Sequence, residues 1–367
     1  MKEASGYHRL ADVLWRLLVA AVLLLAAYVI AARVLMGGIS AWKDDVLAEV
    51  NTRLPFTLQA SRLEGSLHGF SPQIVLRDLT IRFDAPEQPP VALSAGRLRL
   101  DPLHSLMTLA PQISDLRLQG LDLQVARSAD GVLRLVGFEA GIGLLRDWLT
   151  GFLARVDALH IDRSRVLLRD AAGELLSDAE IELDLHRRGS SRLLEASLSI
   201  PGNRLRLHAN GMGDPLTGAS WRGDVYLHLL GDHLQRMLAW APADNLPLVV
   251  SGGGSVEAWL SRAGGRSDIA LRARGEDLVI AESEGGWALP LQSLAMNAAL
   301  TQVTGGWRLQ ASDLSVAHEG RQWDMPRARF QLLGDSLSAR VSGMRIDGIE
   351  NLLAAAPATP AALAAAL

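Results

Sequence analysis

Leu205-Arg206-Leu207-His208-Ala209 alternates apolar and polar or small side chains one by one, the period of two expected of a strand with one apolar face and one face in water. The pattern returns at Ile181-Glu-Leu-Asp-Leu-His186, Val225-Tyr-Leu-His-Leu229, Ile269-Ala-Leu-Arg-Ala273, Trp307-Arg-Leu-Gln-Ala311 and Leu337-Ser-Ala-Arg-Val341. Turn residues punctuate these runs at Asp130-Gly131, Asp170-Ala-Ala-Gly173, Pro201-Gly202-Asn203 and Thr304-Gly305-Gly306, as hairpins require. With turns every roughly ten to fifteen residues, the strands read as an antiparallel meander. In Leu116-Arg-Leu-Gln-Gly120-Leu-Asp-Leu-Gln-Val125 the alternation slips phase at Gly120, which predicts a bulge or strand break there.

Helical periodicity interrupts the strands in a few places. Trp42, Val46, Leu47, Val50 and Leu54 share one face of a predicted helix, as do Leu145, Trp148, Leu149, Phe152 and Val156 within Leu144 to Val156. Leu234, Met237, Leu238 and Trp240 do the same within Leu230 to Trp240. Each could cover a sheet edge. A shorter helix is expected to start at Asp101-Pro102, with Asp as N-cap and Pro as first helical residue.

Upstream of all strands, residues 13–36 form an almost unbroken apolar stretch. The sixteen uncharged residues from Leu17 to Ala32 would span ~24 Å as a helix, against ~30 Å of bilayer hydrocarbon. Arg16 and Arg33 can snorkel to the head groups, which extends the usable span. Leu17, Val22, Leu24, Tyr28 and Ile30 are the expected anchor residues. A cleaved signal peptide shares the basic start (Lys2, Arg9, Arg16), but Ala31-Ala-Arg-Val-Leu-Met36 puts an arginine where a cleavage site belongs. The expected layout is a cytoplasmic tail at 1–12, a signal anchor at 13–36, an amphipathic helix at 37–55 and a repetitive β region at 56–350. An alanine-rich helix at 351–367 closes the chain, which reads as a fragment or truncated product. The positive-inside rule places the bulk outside, which in a Gram-negative cell is the periplasm.

Composition excludes more than it assigns. The chain has no cysteine, so disulfides, thiol catalysis and cysteine-held metals are ruled out. A net charge of −4, with signs mixed along the sequence, provides no basic face for nucleic acid. Ser251-Gly-Gly-Gly-Ser255 lacks the Lys-Ser/Thr of a phosphate loop, and Gly69-Phe-Ser71-Pro breaks the nucleophile-elbow pattern. His160 and Asp162 would share a strand face as a ligand pair, but no third ligand adjoins them in sequence, so a solvated face is the simpler reading. Arg187-Arg188 beside His186 reads as an exposed charge cluster. No enzyme, cofactor or metal site is expected.

An open sheet with one apolar face must cover that face with another layer or fill it with ligand. The residues alone leave both open: a closed core, or a groove with Leu116, Leu118, Leu205, Leu207, Ile269 and Leu271 as its candidate lining. The order of the N-terminal pieces adds a resemblance. A basic start, a membrane span, Leu54-Pro-Phe-Thr-Leu58, Leu76-Arg-Asp-Leu-Thr-Ile-Arg-Phe83 and Ala92-Leu-Ser-Ala-Gly-Arg-Leu-Arg-Leu100 are followed by the segment around Gly120 and by Ala129-Asp-Gly-Val-Leu-Arg-Leu135. This order resembles AsmA-like proteins, and within them the YhdP branch, related to TamB-type envelope proteins. The resemblance implies an inner-membrane-anchored periplasmic protein whose elongated, twisted antiparallel strands form an apolar groove for phospholipid moving toward the outer membrane. Its implied partners are membrane phospholipids, the inner membrane and inner- or outer-membrane proteins. A factor assisting outer-membrane protein assembly is the other function the resemblance allows, and an envelope hydrolase is disfavoured by the missing site.

Overall fold

The structure, a computed structural model, describes residues 4–52, 54, 56–82, 90–128, 132–136, 151–153, 155–170, 172–213, 221–238, 248–263, 266–282, 288–303, 306–333 and 336–343. The chain begins with a helix, α1 (Ala4–Gly38), a 3-10 turn (Ile39–Trp42) and a second helix, α2 (Lys43–Asn51). The expected cytoplasmic tail and anchor are thus one continuous helix from Ala4, and the expected amphipathic helix is split between the turn and α2. α2 ends at Asn51 because its side chain bonds both backbone groups of Leu58, at 3.1 and 2.8 Å, and so steers the chain into the first strand. Leu47 is buried, whereas Trp42 and Val50 of the expected apolar face are exposed. Among the described residues, one helix is long and apolar enough to cross a membrane, and its span starts at Val13.

The rest is one large sheet. β1 (Thr57–His68), β2 (Ser71–Arg82) and β3 (Val91–Leu100) pair antiparallel in chain order. A short helix, α3 (Pro102–Thr108), follows; Asp101 caps it by accepting the His104 amide at 3.0 Å, and a left-handed Leu109 ends it. β4 (Ile113–Gln119) and β5 (Asp122–Arg127) form one interrupted strand, and β6 (Leu133–Leu135) hairpins onto β5. β7 (Ala158–Arg169) then pairs with β4 and β5 in parallel. This adds one parallel neighbour to the antiparallel sheet expected: the chain crosses back to the rim where β4 starts before β7 begins, as a parallel neighbour requires.

From there the meander is regular through β8 (Leu175–Arg188), β9 (Ser191–Ile200), β10 (Asn203–Met212) and β11 (Arg222–Gly231). Helix α4 (Leu234–Leu238) interrupts it. β12 (Leu248–Ala263), β13 (Arg266–Glu282), β14 (Ala288–Val303), β15 (Gly306–His318), β16 (Arg321–Leu333) and β17 (Ser336–Ser342) complete it. The expected helix from Leu230 to Trp240 shrinks to five residues, since Leu230 and Gly231 finish β11; Leu234 and Met237 are buried as its face requires, and Trp240 lies outside the described residues. Of the helix expected at Leu144 to Val156, residues 151–153 are helical and Val156 is buried in a bridge with Ile113; 144–150 lie outside the described residues, as do the turns at 129–131 and 304–305 and the expected helix at 351–367.

A crease runs across the first strands. Ser61, Asp78, Ser94, Gly120 and Arg163 occupy adjacent positions on β1, β2, β3, the β4–β5 junction and β7, by the register of their ladders. Gly120 (φ +65°), Asp78 (φ 49°) and Arg163 (φ 49°) are left-handed, and each such residue flips the side-chain phase of its strand. Leucines three apart, such as Leu76 and Leu79 or Leu118 and Leu121, therefore stay on one face and join a single buried cluster around Leu79, Val91 and Leu93. Left-handed residues recur in the later strands in two separate places, Gly252 beside Asp277 and Asp313 with Gly343 on either side of Pro326, and Leu278, Leu291 and Val316 are buried in one cluster.

Candidate functional site: an apolar face across the sheet

Antiparallel and parallel ladders place residues side by side, so the face of every strand follows from the register. Leu118 neighbours Ile161, which neighbours Leu183, then Ala196 and Leu207. From Leu207 the same row continues through Leu227, Ala258, Leu271, Ala298 and Ala311 to Ala328. Backwards from Leu118 it runs through Gly96 and Leu76 to Leu63. A second row lies beside it, from Ile74 through Leu98, Leu116, Leu159, Leu185 and Leu194 to Ala209. It goes on through Val225, Leu260, Ile269 and Leu300 to Leu309. Neither row is broken by a polar side chain. Ala328 pairs onward with Val341 on β17, so the first row crosses fifteen strand positions, counting β4 and β5 as one, and the second crosses twelve, from β2 to β15.

All six candidate groove residues stand on this face. Leu118, Leu207 and Leu271 belong to the first row, Leu116 and Ile269 to the second, and Leu205 pairs with Leu198 and Leu229 just beside them. Each is half-buried. Their surroundings differ. Leu118 packs against the crease cluster, and Leu205 against the cluster of Ala179, Ile200 and Met237 that α4 lays on the face. The rows thus have a floor of buried core toward the rim carrying α4 and an open, half-covered strip toward the other rim.

The opposite face is polar, and its side chains are linked to one another across the strands. Tyr226 donates to Glu257 at 3.1 Å, Glu257 pairs with Arg272 at 3.1 Å, and the Arg272 guanidinium lies 5.7 Å over the Trp259 ring. Burial and the nearby Glu257 carboxylate push the Tyr226 phenol above its ordinary pKa, while Arg272 and Arg206 pull it down. Further along, His160 sits between Asp115 at 3.4 Å and a shorter contact with Asp184, and Asp162 pairs with Arg117 at 3.4 Å. His160, Asp184 and His186 have ligand atoms within 4.8 Å of one another, whereas Asp162, the partner expected for His160, is not in that group; both other members lie on β8, the next strand, and sequence reasoning missed them. The repeat Asp184-Leu-His186, two residues apart like His160-Ile-Asp162, was the signal. Asp184 hydrogen-bonds Nδ1 of His160 and Asp115 lies 3.4 Å from its Nε2, so both ring nitrogens already face carboxylates in a ladder of polar side chains across the strands. Arg187, expected to be part of a loose charge cluster, is held by Asp157.

Helix α1 meets the sheet on the apolar face. A side chain at Gly65 would strike the Met36 carbonyl oxygen at 2.4 Å and Ile39 Cγ2 at 2.7 Å, so only glycine lets the end of α1 settle there. Farther out, the Tyr28 hydroxyl donates to the Phe70 carbonyl at 2.8 Å, and Ala32 is buried between the two contacts. Of the expected anchor residues, Leu17, Val22, Leu24 and Ile30 are exposed, as a lipid-facing helix surface would be, and Tyr28 faces the β1–β2 turn.

A family model for YhdP proteins matches residues 1–367. The chain belongs to the YhdP family. A search of curated proteins found no match. The YhdP match spans helix and sheet together, so α1 and the apolar track belong to one family unit.

Proposed function

We propose that this YhdP protein moves phospholipid along the apolar face of its sheet, from the membrane that α1 crosses toward a second membrane, and does so without catalysis. The observation that carries the reading is the pair of unbroken apolar rows, half-buried over the middle strands of the described sheet and beginning where α1 rests on Gly65. Apolar surface of that extent is rarely left in water on a soluble monomer. Acyl chains are the chemically matched occupant, since a track with no polar group across fifteen strand positions offers nothing to bind a head group. Family membership accords with an envelope lipid-transport protein. In a Gram-negative cell the two membranes are the inner and the outer, with the sheet in the periplasm and phospholipid as the partner. The integrity of the outer membrane would then depend on it.

The test is a charge on the open strip. Leu207→Asp and Leu271→Asp force a carboxylate to be desolvated against acyl chains, which costs several kcal/mol when unpaired. Each variant should insert and fold normally and lose lipid delivery to the outer membrane. Folded variants that deliver lipid at the parent rate would end the proposal, and cross-linking of these positions to protein instead of lipid would favour an assembly role.

A further inference from the structure

We propose that the rim formed by the β1–β2 turn and α3 is itself inserted into the bilayer that α1 crosses, so that the apolar track opens inside the lipid leaflet. The inference rests on reading α1 as a membrane-spanning helix. Two contacts fix how the sheet sits on that helix: Gly65 lies against Met36, and Phe70 receives the hydrogen bond from Tyr28. As β1 advances toward its turn, its contacts on α1 therefore retreat toward the N-terminus, into the span. Arg33, whose charge belongs at the head groups, falls between the two contacts. Tyr28 is five residues nearer the bilayer centre, which is ~7 Å at ~1.5 Å per residue. The turn that holds Phe70 is drawn to that depth.

The chemistry of the rim fits that depth. Phe70 is 57% exposed. The β2–β3 register pairs Gln73 with Arg99, so the start of α3 stands beside Ser71 on the same rim. On α3, Leu103, Leu106 and Met107 share one helix face at 70, 72 and 78% exposure, and Leu109 follows at 90%. Residues 65–76 and 102–114 contain no Asp, Glu, Lys or Arg, in a chain that is 21% charged. Two charge-free segments, distant in sequence, converge beside the membrane helix. On the opposite rim, exposed Leu175 and Leu176 are flanked by Glu174 and Asp178. A water-soluble protein could not reach a surface below the level of Arg33, which leaves the bilayer as the occupant.

The absence of native cysteine makes a depth measurement clean. Single-cysteine variants Phe70→Cys, Leu106→Cys, Leu24→Cys and Leu175→Cys of the full chain carry a nitroxide label in vesicles of phosphatidylethanolamine and phosphatidylglycerol. Accessibility to oxygen is compared with accessibility to a water-soluble nickel chelate. The labels at 70 and 106 should favour oxygen, as at 24, while the label at 175 favours nickel. Nickel access at either 70 or 106, with 24 protected, overturns the proposal and leaves the anchor standing. Nickel access at 24 removes the anchor reading and the proposal together. Leu103→Cys and Met107→Cys, equally exposed, substitute for a labelled variant that does not fold.

Discussion

Gly120 shows how much one residue decides. Its φ of +65° is open to glycine, and a Cβ there would meet Ser94 Oγ at 2.2 Å. Gly120→Ala is expected to destabilise the sheet by about 1–3 kcal/mol through left-handed strain and that contact, measured as a fall in the denaturant midpoint; an unchanged midpoint would show that the crease is not rigid. The same logic separates core from track. Leu79 is 5% exposed within the crease cluster, so Leu79→Asp should unfold the chain, whereas Leu207→Asp on the half-covered strip should leave circular dichroism and protease resistance unchanged. On the polar face, His160→Ala leaves Asp115 and Asp184 facing each other. A loss of about 1–2 kcal/mol in stability with lipid delivery intact is expected, and abolished delivery in a folded variant would reveal a role beyond the ladder.

At the level of elements, the strands were legible because one-sided burial writes itself into a period of two, and α3 was legible from Asp101-Pro102. The slip at Gly120 was legible too, but it is one point on a crease whose other points, Ala60 to Leu63, Leu76 to Leu79 and Ile161 to Ser164, carry the same slip less visibly because Asp and Arg replace glycine. Whether the leucines of β4 and β10 faced one another was not legible, since register is a property of pairs of strands. Nor was the parallel turn of β7, whose cause lies in a crossover and not in its own residues. The seat of α1 on Gly65 escaped for a similar reason: a glycine in a strand signals close approach without saying of what. Gly65→Val should push the end of α1 from β1, lowering thermal stability and freeing the β1–β2 turn, with faster hydrogen exchange at residues 65–70 as the measurement. Unchanged exchange would mean that the helix does not bear on the sheet.

On the scale of the whole molecule, fourteen strand spacings between β1 and β17, counting β4 and β5 as one and leaving out β6, at ~4.8 Å each give a track of ~65–70 Å. One bilayer leaflet contributes only ~15 Å of hydrocarbon. No single acyl chain bridges the track, so lipid on it must occupy successive positions, and a charge anywhere along the two rows should interrupt the whole path. Leu271 lies ten strand positions from β1 and, on the proposed reading, beyond the reach of the membrane that α1 would cross. Photo-cross-linking from a benzophenone side chain at Leu271 in living cells, with Arg272 on the opposite face as control, tests the central claim most directly. Phospholipid captured at 271 and not at 272 is the expected result; capture of protein alone at 271, or of lipid equally at both positions, would contradict it.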